Sequence, residues 1–314
     1  DLTNLYMISG SNQSLHQNID ALSVSRNVNS KLHFADHAPA AGLPVPRTEV
    51  YCKRAIREGD ADGLFSALPN GVMVKLLGLA GSRNVFAVDS VADCLDQIAE
   101  YDDGAEILLQ EKLDLSQWRE MTVDLTITSQ EVSISNVRQI LFAGGKWVGN
   151  YISPDLEVPD AHKEVLMQVG AYARHHGHVA PEGINCGVDY FVSGDEVIVT
   201  EINARWTGGL FPAEFLRRLS ITRPAVAFFD MVPVAHSDAV RTFQRKHLFL
   251  ASGDEFAYVP MGFTPFATEI EGVEHYFVWQ IVVGDFASFV EEKRRAFAKD
   301  VFPSADLILE EALS

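Results

Sequence analysis

The sequence predicts an α+β fold, and three observations carry that prediction. Up to about residue 113 short apolar strands alternate with helical stretches, from 120 onward the texture changes to long β-runs, and the turn VSGDEV joins two further apolar runs as a hairpin. At 314 residues, 47% hydrophobic and 22% charged, the chain is long enough to bury a large core in two or three subdomains.

In order along the chain, residues 1–28 are polar and irregular (SGSNQSLHQN). NSKLHFADHAPAAGLPVPRTEVY then reads as a short helix from about Asn29, a Gly-Pro turn and a strand at 47–52. A helix at 54–67, the strand GVMVKLL, the glycine-bearing loop GLAGSRN, the strand VFAV, a helix at about 90–100 and the strand EILLQEKL complete a first subdomain over 29–113. EMTVDLTIT, EVSISNVRQILFA, a Gly-Gly-Lys turn and WVGNYIS follow as an antiparallel meander. A helix at about 160–177, the strands GINCGVDYFV and EVIVTEINARW, and a helix at about 211–220 extend the second subdomain, 114–235. Residues 236–314 hold mixed strands (HLFLAS, EHYFVWQIVVG) and a charged helix at about 286–298.

With 25 Lys+Arg against 43 Asp+Glu the net charge is −18, which repels nucleic acid and anionic membrane surfaces and favours a small-molecule or protein partner. Cys52, Cys94 and Cys186 are odd in number and widely spaced, so neither a disulfide framework nor a zinc site is expected, and a reducing cytoplasm fits. No stretch approaches the ~18 uncharged apolar residues of a membrane span.

The hairpin carries the chemistry. A register symmetric about Asp195 places Asp189 opposite Glu201, and period two puts Asn203 on the same face. Two carboxylates and an amide are hard oxygen donors that suit Mg²⁺ shared with substrate phosphates; a solvent-facing polar strip is the alternative. Lys75 inside an apolar strand needs an anionic partner or must snorkel to the surface. Beyond it, Gly78, Gly81 and Ser82 form a small-residue loop whose backbone N–H groups can close over phosphate, or simply turn a hairpin. The stretch Gln110-Glu111-Lys112-Leu113 by itself reads as a connector.

Taken in order, these pieces resemble the ATP-grasp superfamily of carboxylate–amine ligases over roughly residues 25–235. The resemblance implies two α+β subdomains gripping ATP, with Lys31 and Lys75 on its phosphates and Gly81 and Ser82 in the flexible loop. It places Gln110, Glu111, Lys112 and Leu113 in the adenine hinge, with Glu120 on the ribose hydroxyls. Asp189, Glu201 and Asn203 become Mg²⁺ ligands, Arg205 faces anionic phosphate or carboxylate, and Gly208 and Gly209 let backbone N–H groups approach the acyl substrate. Arg138 in NVRQI is either a further cation of the site or a strand-surface arginine. The implied reaction forms an acyl phosphate and ADP, after which an amine displaces phosphate. EINARWTGG and the NSK opening look most like peptide or amino-acid ligases of the pheganomycin peptide ligase type, acting on small carboxylate and amine substrates. A small-molecule kinase, or a nucleotide-binding module needing a partner domain, is the alternative. The family's usual layout has a separate domain before the grasp, whereas about 28 residues precede it here. Its wall of the substrate site would come from a removed domain, from a second chain as in a homodimer, or from residues 236–314.

Overall fold

The computed structural model describes residues 19–77, 85–143, 146–249, 255–264 and 266–313. The chain forms two compact units, Asp1–Asn136 with Val158–Thr207 and Val137–Glu157 with Gly208–Ser314. These limits differ from the sequence-drawn ranges 114–235 and 236–314. The reason is β-pairing between distant stretches: Ala225–Pro233 lies antiparallel to Val273–Gly284 along its whole length, which joins residues after 208 to the C-terminal segment.

The first unit opens with helices α1 (Ile19–Val28) and α2 (Lys31–His37), the latter capped by the Ser30 hydroxyl accepting from His33 N–H at 3.3 Å. A four-stranded antiparallel sheet follows, in the order β1 (Thr48–Cys52), β4 (Glu106–Glu111), β2 (Val72–Leu76), β3 (Val85–Val88). Val72, Val74 and Leu76 alternate inward and meet Ile107, Leu109 and the helices α3 (Lys53–Glu58), α4 (Asp62–Ala67) and α5 (Val91–Gln97) through Ile56, Leu64 and Cys94. Period two therefore sends Lys75 to the other face. The single helix expected at 54–67 is two, because Gly59 ends α3 with φ +94°, a left-handed conformation that suits glycine.

The same unit contains the antiparallel strands β5 (Arg119–Ile127), β8 (Ile184–Ser193) and β9 (Glu196–Asn203), packed on α6 (Asp160–His175), in which Leu166 and Val169 are fully buried. The hairpin pairs Asp189 with Glu201 as the sequence predicts, by a different route. Its turn is the two-residue Gly194-Asp195, with Gly194 at φ +58°, and this register alone would set Asp189 opposite Thr200. A β-bulge at Thr200 restores the pairing, and the Thr200 hydroxyl donates to the Asp189 carbonyl at 3.1 Å.

The second unit orders its strands β11 (Phe256–Phe263), β13 (Val273–Gly284), β10 (Ala225–Pro233), β7 (Lys146–Ile152) and the later half of β6 (Val132–Ala143), with the short β12 (Thr268–Ile270) also paired to β13. One face carries a core of Phe228, Tyr258, Val278, Val282 and Phe289 beneath α8 (Ser237–Lys246), α9 (Phe286–Ala296) and α10 (Pro303–Leu307). The carboxylate of Asp230 accepts from Ser304 and Ala305 N–H at 3.1 Å each, anchoring the start of α10. The other face is covered in part by α7 (Leu210–Arg218) through Leu216. HLFLAS does not form the expected strand among its described residues: Leu248 makes one isolated bridge to Tyr258. Among the described residues no helix is long and apolar enough to cross a membrane.

Gln280 points into the apolar core, fully buried, and among the described residues neither of its amide atoms finds a hydrogen-bond partner. A buried amide without partners costs about 1–3 kcal/mol. Gln280→Leu is therefore expected to raise stability by that order, read as a shifted urea midpoint at unchanged slope.

Candidate functional site

Directly opposed residues of an antiparallel sheet project to one side. In the first unit, Thr122 opposes Asp189 and Asp189 opposes Glu201; Asp124 opposes Gly187 and Gly187 opposes Asn203. Glu120, Thr122, Asp124, Asp189, Glu201 and Asn203 thus share one face, while the alternate face is the buried apolar row Met121, Val123, Leu125, Val188 and Ile202. Four carboxylates on one small surface demand cations. Lys31, the first residue of α2, places its ammonium on the Glu201 carboxylate. Lys75 is 8% exposed and its charge also acts on Glu201, Glu120 and Asp189. Asn203 Nδ2 donates to Asp189 Oδ2 at 2.9 Å.

The electrostatics follow from this crowding. Burial pushes the Lys75 ammonium down to about 8; the Lys31 charge adds to the shift and the carboxylates oppose it. Burial, followed by repulsion from Asp189, pushes Glu120 up to about 8, against the pull of Lys75. At Glu201 burial acts upward, but Lys31, Lys75 and Arg205 outweigh it and hold the carboxyl below its ordinary range.

Beyond β9 the chain is tied back to the same face. Arg205 donates to the Asn29 side-chain oxygen and its carbonyl accepts from Asn185 Nδ2 at 2.9 Å. Asn185 Nδ2 also donates to Asp124 Oδ1 at 2.7 Å, and the Thr207 hydroxyl donates to the same carboxylate at 3.4 Å. Asp124, Asn185 and Asn29 are absent from the sequence-derived set. For Asp124 a signal existed, since it stands four residues after Glu120 on a strand of period two. Nothing local marks Asn29 or Asn185, which meet Arg205 only through the fold.

A cavity of about 270 Å³ adjoins the two lysines, with Phe34, Val45, Pro46 and Leu108 as apolar lining and Lys31, Lys75, Gln110 and Thr200 as polar lining. The structure divides the expected hinge. Gln110 shares the face of Lys75 and Leu108 and donates from Nε2 to the Thr48 hydroxyl at 2.8 Å. Glu111 belongs to the opposite face of β4; its backbone N–H donates to Arg47 O at 2.8 Å and its carboxylate accepts from Arg47 N–H at 3.4 Å. Lys112 and Leu113 continue half-buried past the strand end, Lys112 N–H donating to Gly71 O at 3.4 Å. Gly78, Gly81 and Ser82 lie outside the described residues.

Arg138, Gly208 and Gly209 belong to the second unit. Arg138 is fully buried on β6, and a Cβ at Gly209 would stand 2.5 Å from Asn150 Oδ1 and 2.8 Å from Arg138 Nε. Gly209 is therefore glycine because its backbone lies against those two side chains. Cys186 is buried, and burial, with the Asp124 charge, pushes its thiol far up, so it is no nucleophile.

The donor set fits a hard divalent cation. Among the described residues no three His, Cys, Asp or Glu side chains are placed to hold a metal by themselves. Two opposed carboxylates and an amide make an incomplete set of the kind that substrate phosphates complete for Mg²⁺, and the Lys31 ammonium supplies positive charge at Glu201.

No protein-family model and no curated protein matches the sequence. Solved structures do. A carboxyaminoimidazole ribonucleotide synthase from Aspergillus clavatus complexed with ATP is similar at TM-score 0.57 and 16% identity, over 83% of this chain and 69% of that one. An N5-carboxyaminoimidazole synthetase from Staphylococcus aureus complexed with ADP gives 0.57 at 14%, over 86% and 72%. A phosphoribosylamine–glycine ligase from Thermotoga maritima gives 0.51 at 14%, over 83% and 72%. The chain has the α+β ATP-grasp fold.

Proposed function

We propose that this protein is an ATP- and Mg²⁺-dependent carboxylate–amine ligase that works through an acyl phosphate and releases ADP and phosphate. The carrying observation is the opposed Asp189 and Glu201, with Asn203 beside them, facing Lys31 and Lys75 within one unit. The ATP-grasp fold and the nucleotides in two of the similar structures support it.

In this reading Asp189, Glu201 and Asn203 hold Mg²⁺, which when bound neutralises phosphate charge. Lys31 and Lys75 bind the phosphates, and Gln110 with the backbone of Glu111 to Leu113 receives the adenine. Glu120 accepts from the ribose hydroxyls as a carboxylate, so nucleotide entry must favour its deprotonated form. The substrate carboxylate oxygen attacks the γ-phosphorus, forming one O–P bond while the bond to ADP breaks. The amine nitrogen then attacks the acyl carbon, phosphate leaves with the C–O bond electrons, and the nitrogen loses a proton. Positioning and charge neutralisation suffice for such transfers, so no nucleophilic side chain is needed. Arg205 is assigned to anionic phosphate or carboxylate, Arg138 is assigned as a further cation, and the backbone N–H groups at Gly208 and Gly209 are assigned to the acyl substrate. We assign amino acids or short peptides as substrates, as in the pheganomycin peptide ligase group.

The test is phosphate release from Mg²⁺-ATP by the purified chain with pooled amino acids and dipeptides. Release that needs both a carboxylate and an amine is expected. A stable phosphorylated product from a single substrate would overturn the ligase in favour of a kinase.

A further inference from the structure

Within the first unit, the junction between α1 and α2 meets the chain around the end of β9 twice. Lys31 places its ammonium on the Glu201 carboxylate, and two positions earlier the Asn29 side-chain oxygen accepts from Arg205 Nη1. The junction is itself fixed: Val28 is buried, Ser30 N–H donates to Asn27 O at 3.0 Å, and the Ser30 hydroxyl caps α2. The Arg205 backbone is held as well. Its N–H donates to Asn203 O at 2.7 Å in a tight turn at the strand end, and its carbonyl accepts from Asn185 Nδ2.

The choice of side-chain partner is informative. An arginine near carboxylates ordinarily forms a two-pronged ion pair with one of them, which neutralises both. Arg205 is half-buried and its charge acts on Glu201, as do those of Lys31 and Lys75. Yet among the described residues it makes no ion pair, and its guanidinium donates to the neutral amide oxygen of Asn29. An amide oxygen fixes the direction of a guanidinium without cancelling its charge. Released from Asn29, the guanidinium has Glu201 as an anionic partner, and that pair would take the cation from an incoming phosphate and the carboxylate from the metal at once.

Resting on the ligase reading, we propose that Asn29 is a positioning residue that holds the Arg205 guanidinium apart from the carboxylates, its charge uncompensated, for a phosphate oxygen of the bound nucleotide. The neutrality of Asn29 is then required as much as its oxygen.

The experiment compares Asn29→Asp and Asn29→Ala in the full chain, the latter also combined with Arg205→Ala. The readouts are the calorimetric dissociation constant of Mg²⁺-ATP, phosphate release with pooled amino acids and dipeptides, and thermal unfolding. Asn29→Asp keeps the acceptor and turns the bond into an ion pair, so the melting temperature is expected to hold or rise while Mg²⁺-ATP binds about tenfold more weakly. Asn29→Ala is expected to weaken binding by a similar factor and to raise the Mg²⁺ concentration needed for half-maximal binding. In the Arg205→Ala background it should add no further loss, because Asn29 acts only through Arg205. A purely structural tether gives the opposite pattern, with Asn29→Asp binding as tightly as the wild type; that result, or an additive loss in the double variant, overturns the inference. Because Asn29→Asp preserves the contact, it keeps the test decisive if Asn29→Ala does not fold. A wild type that binds Mg²⁺-ATP but releases no phosphate with acids and amines removes the ligase reading and leaves the inference to be decided by the dissociation constants. A wild type that binds no Mg²⁺-ATP overturns both.

Discussion

Glu201→Gln lowers Mg²⁺-dependent ATP turnover by about 10³-fold, roughly 4 kcal/mol of transition-state stabilisation, while the protein still folds. The substitution keeps shape and removes one of only two carboxylates in the opposed set, at the position where Lys31 also pairs. An amide donor neutralises none of the cation's charge, and the loss is felt where negative charge gathers on the transferring phosphoryl group. The cost in stability is moderate, about 1–3 kcal/mol, because the Lys31 and Glu201 side chains are largely buried and the substitution leaves the Lys31 ammonium without its carboxylate. Phosphate release and thermal unfolding on the same preparation check both halves. Full activity in the variant would remove Glu201 from the metal site.

The second large effect concerns Lys75. Lys75→Ala weakens ATP binding by about 10- to 100-fold, the usual worth of a charge-assisted contact, and Lys75→Arg separates charge from pKa. In the wild type the ammonium is held down to about 8, so below that pH the cation is ready for the phosphates. Above it, binding must take up a proton, and the dissociation constant rises by up to about tenfold per pH unit. Lys75→Arg and Lys75→Ala should both lack this rise between pH 8 and 9.5, and a wild-type affinity flat across that range would falsify the role. Without nucleotide the sign for folding is the reverse. The folded value lies below the ordinary 10.5, so the unfolded chain holds more protons between about 8 and 10.5, and the Lys75 contribution to stability improves as pH rises there. Glu120, raised from 4.5 to about 8, holds its proton more tightly when folded, so its contribution declines between those two values as pH rises.

Much of this site is legible in local sequence, and the parts that are not share one cause. The strand at 72–76 with a lysine on its second face, the strands flanking Gly194, and the shared face of Glu201 and Asn203 all follow from period-two alternation and turn chemistry among near neighbours. The division of Gln110 from Glu111 is local in the same sense: alternation alone sends them to opposite faces, and only one reaches the cavity. The unpredicted helix α1 lies in a stretch whose local pattern is weak, whereas β10 is a nearly continuous apolar run, AVAFFDMVP, whose identity as a strand is settled by its pairing to β13 and β7. HLFLAS shows the converse, an apolar run that looks like a strand and finds no partner ladder in its described residues.

The sequence by itself determined the α+β class, the acidic balance that disfavours nucleic acid, and the shared face of Glu201 and Asn203, because each depends on composition or on residues a few positions apart. Tertiary structure alone decided that Lys31 answers Glu201, that Asp124 and Asn185 brace the loop after β9, and that a bulge at Thr200 supplies the register the turn does not. Those contacts join side chains from distant stretches of chain. Their stability comes from pairing the charges and polar groups that assembly of the strands has desolvated at a cost, a term that no local window contains.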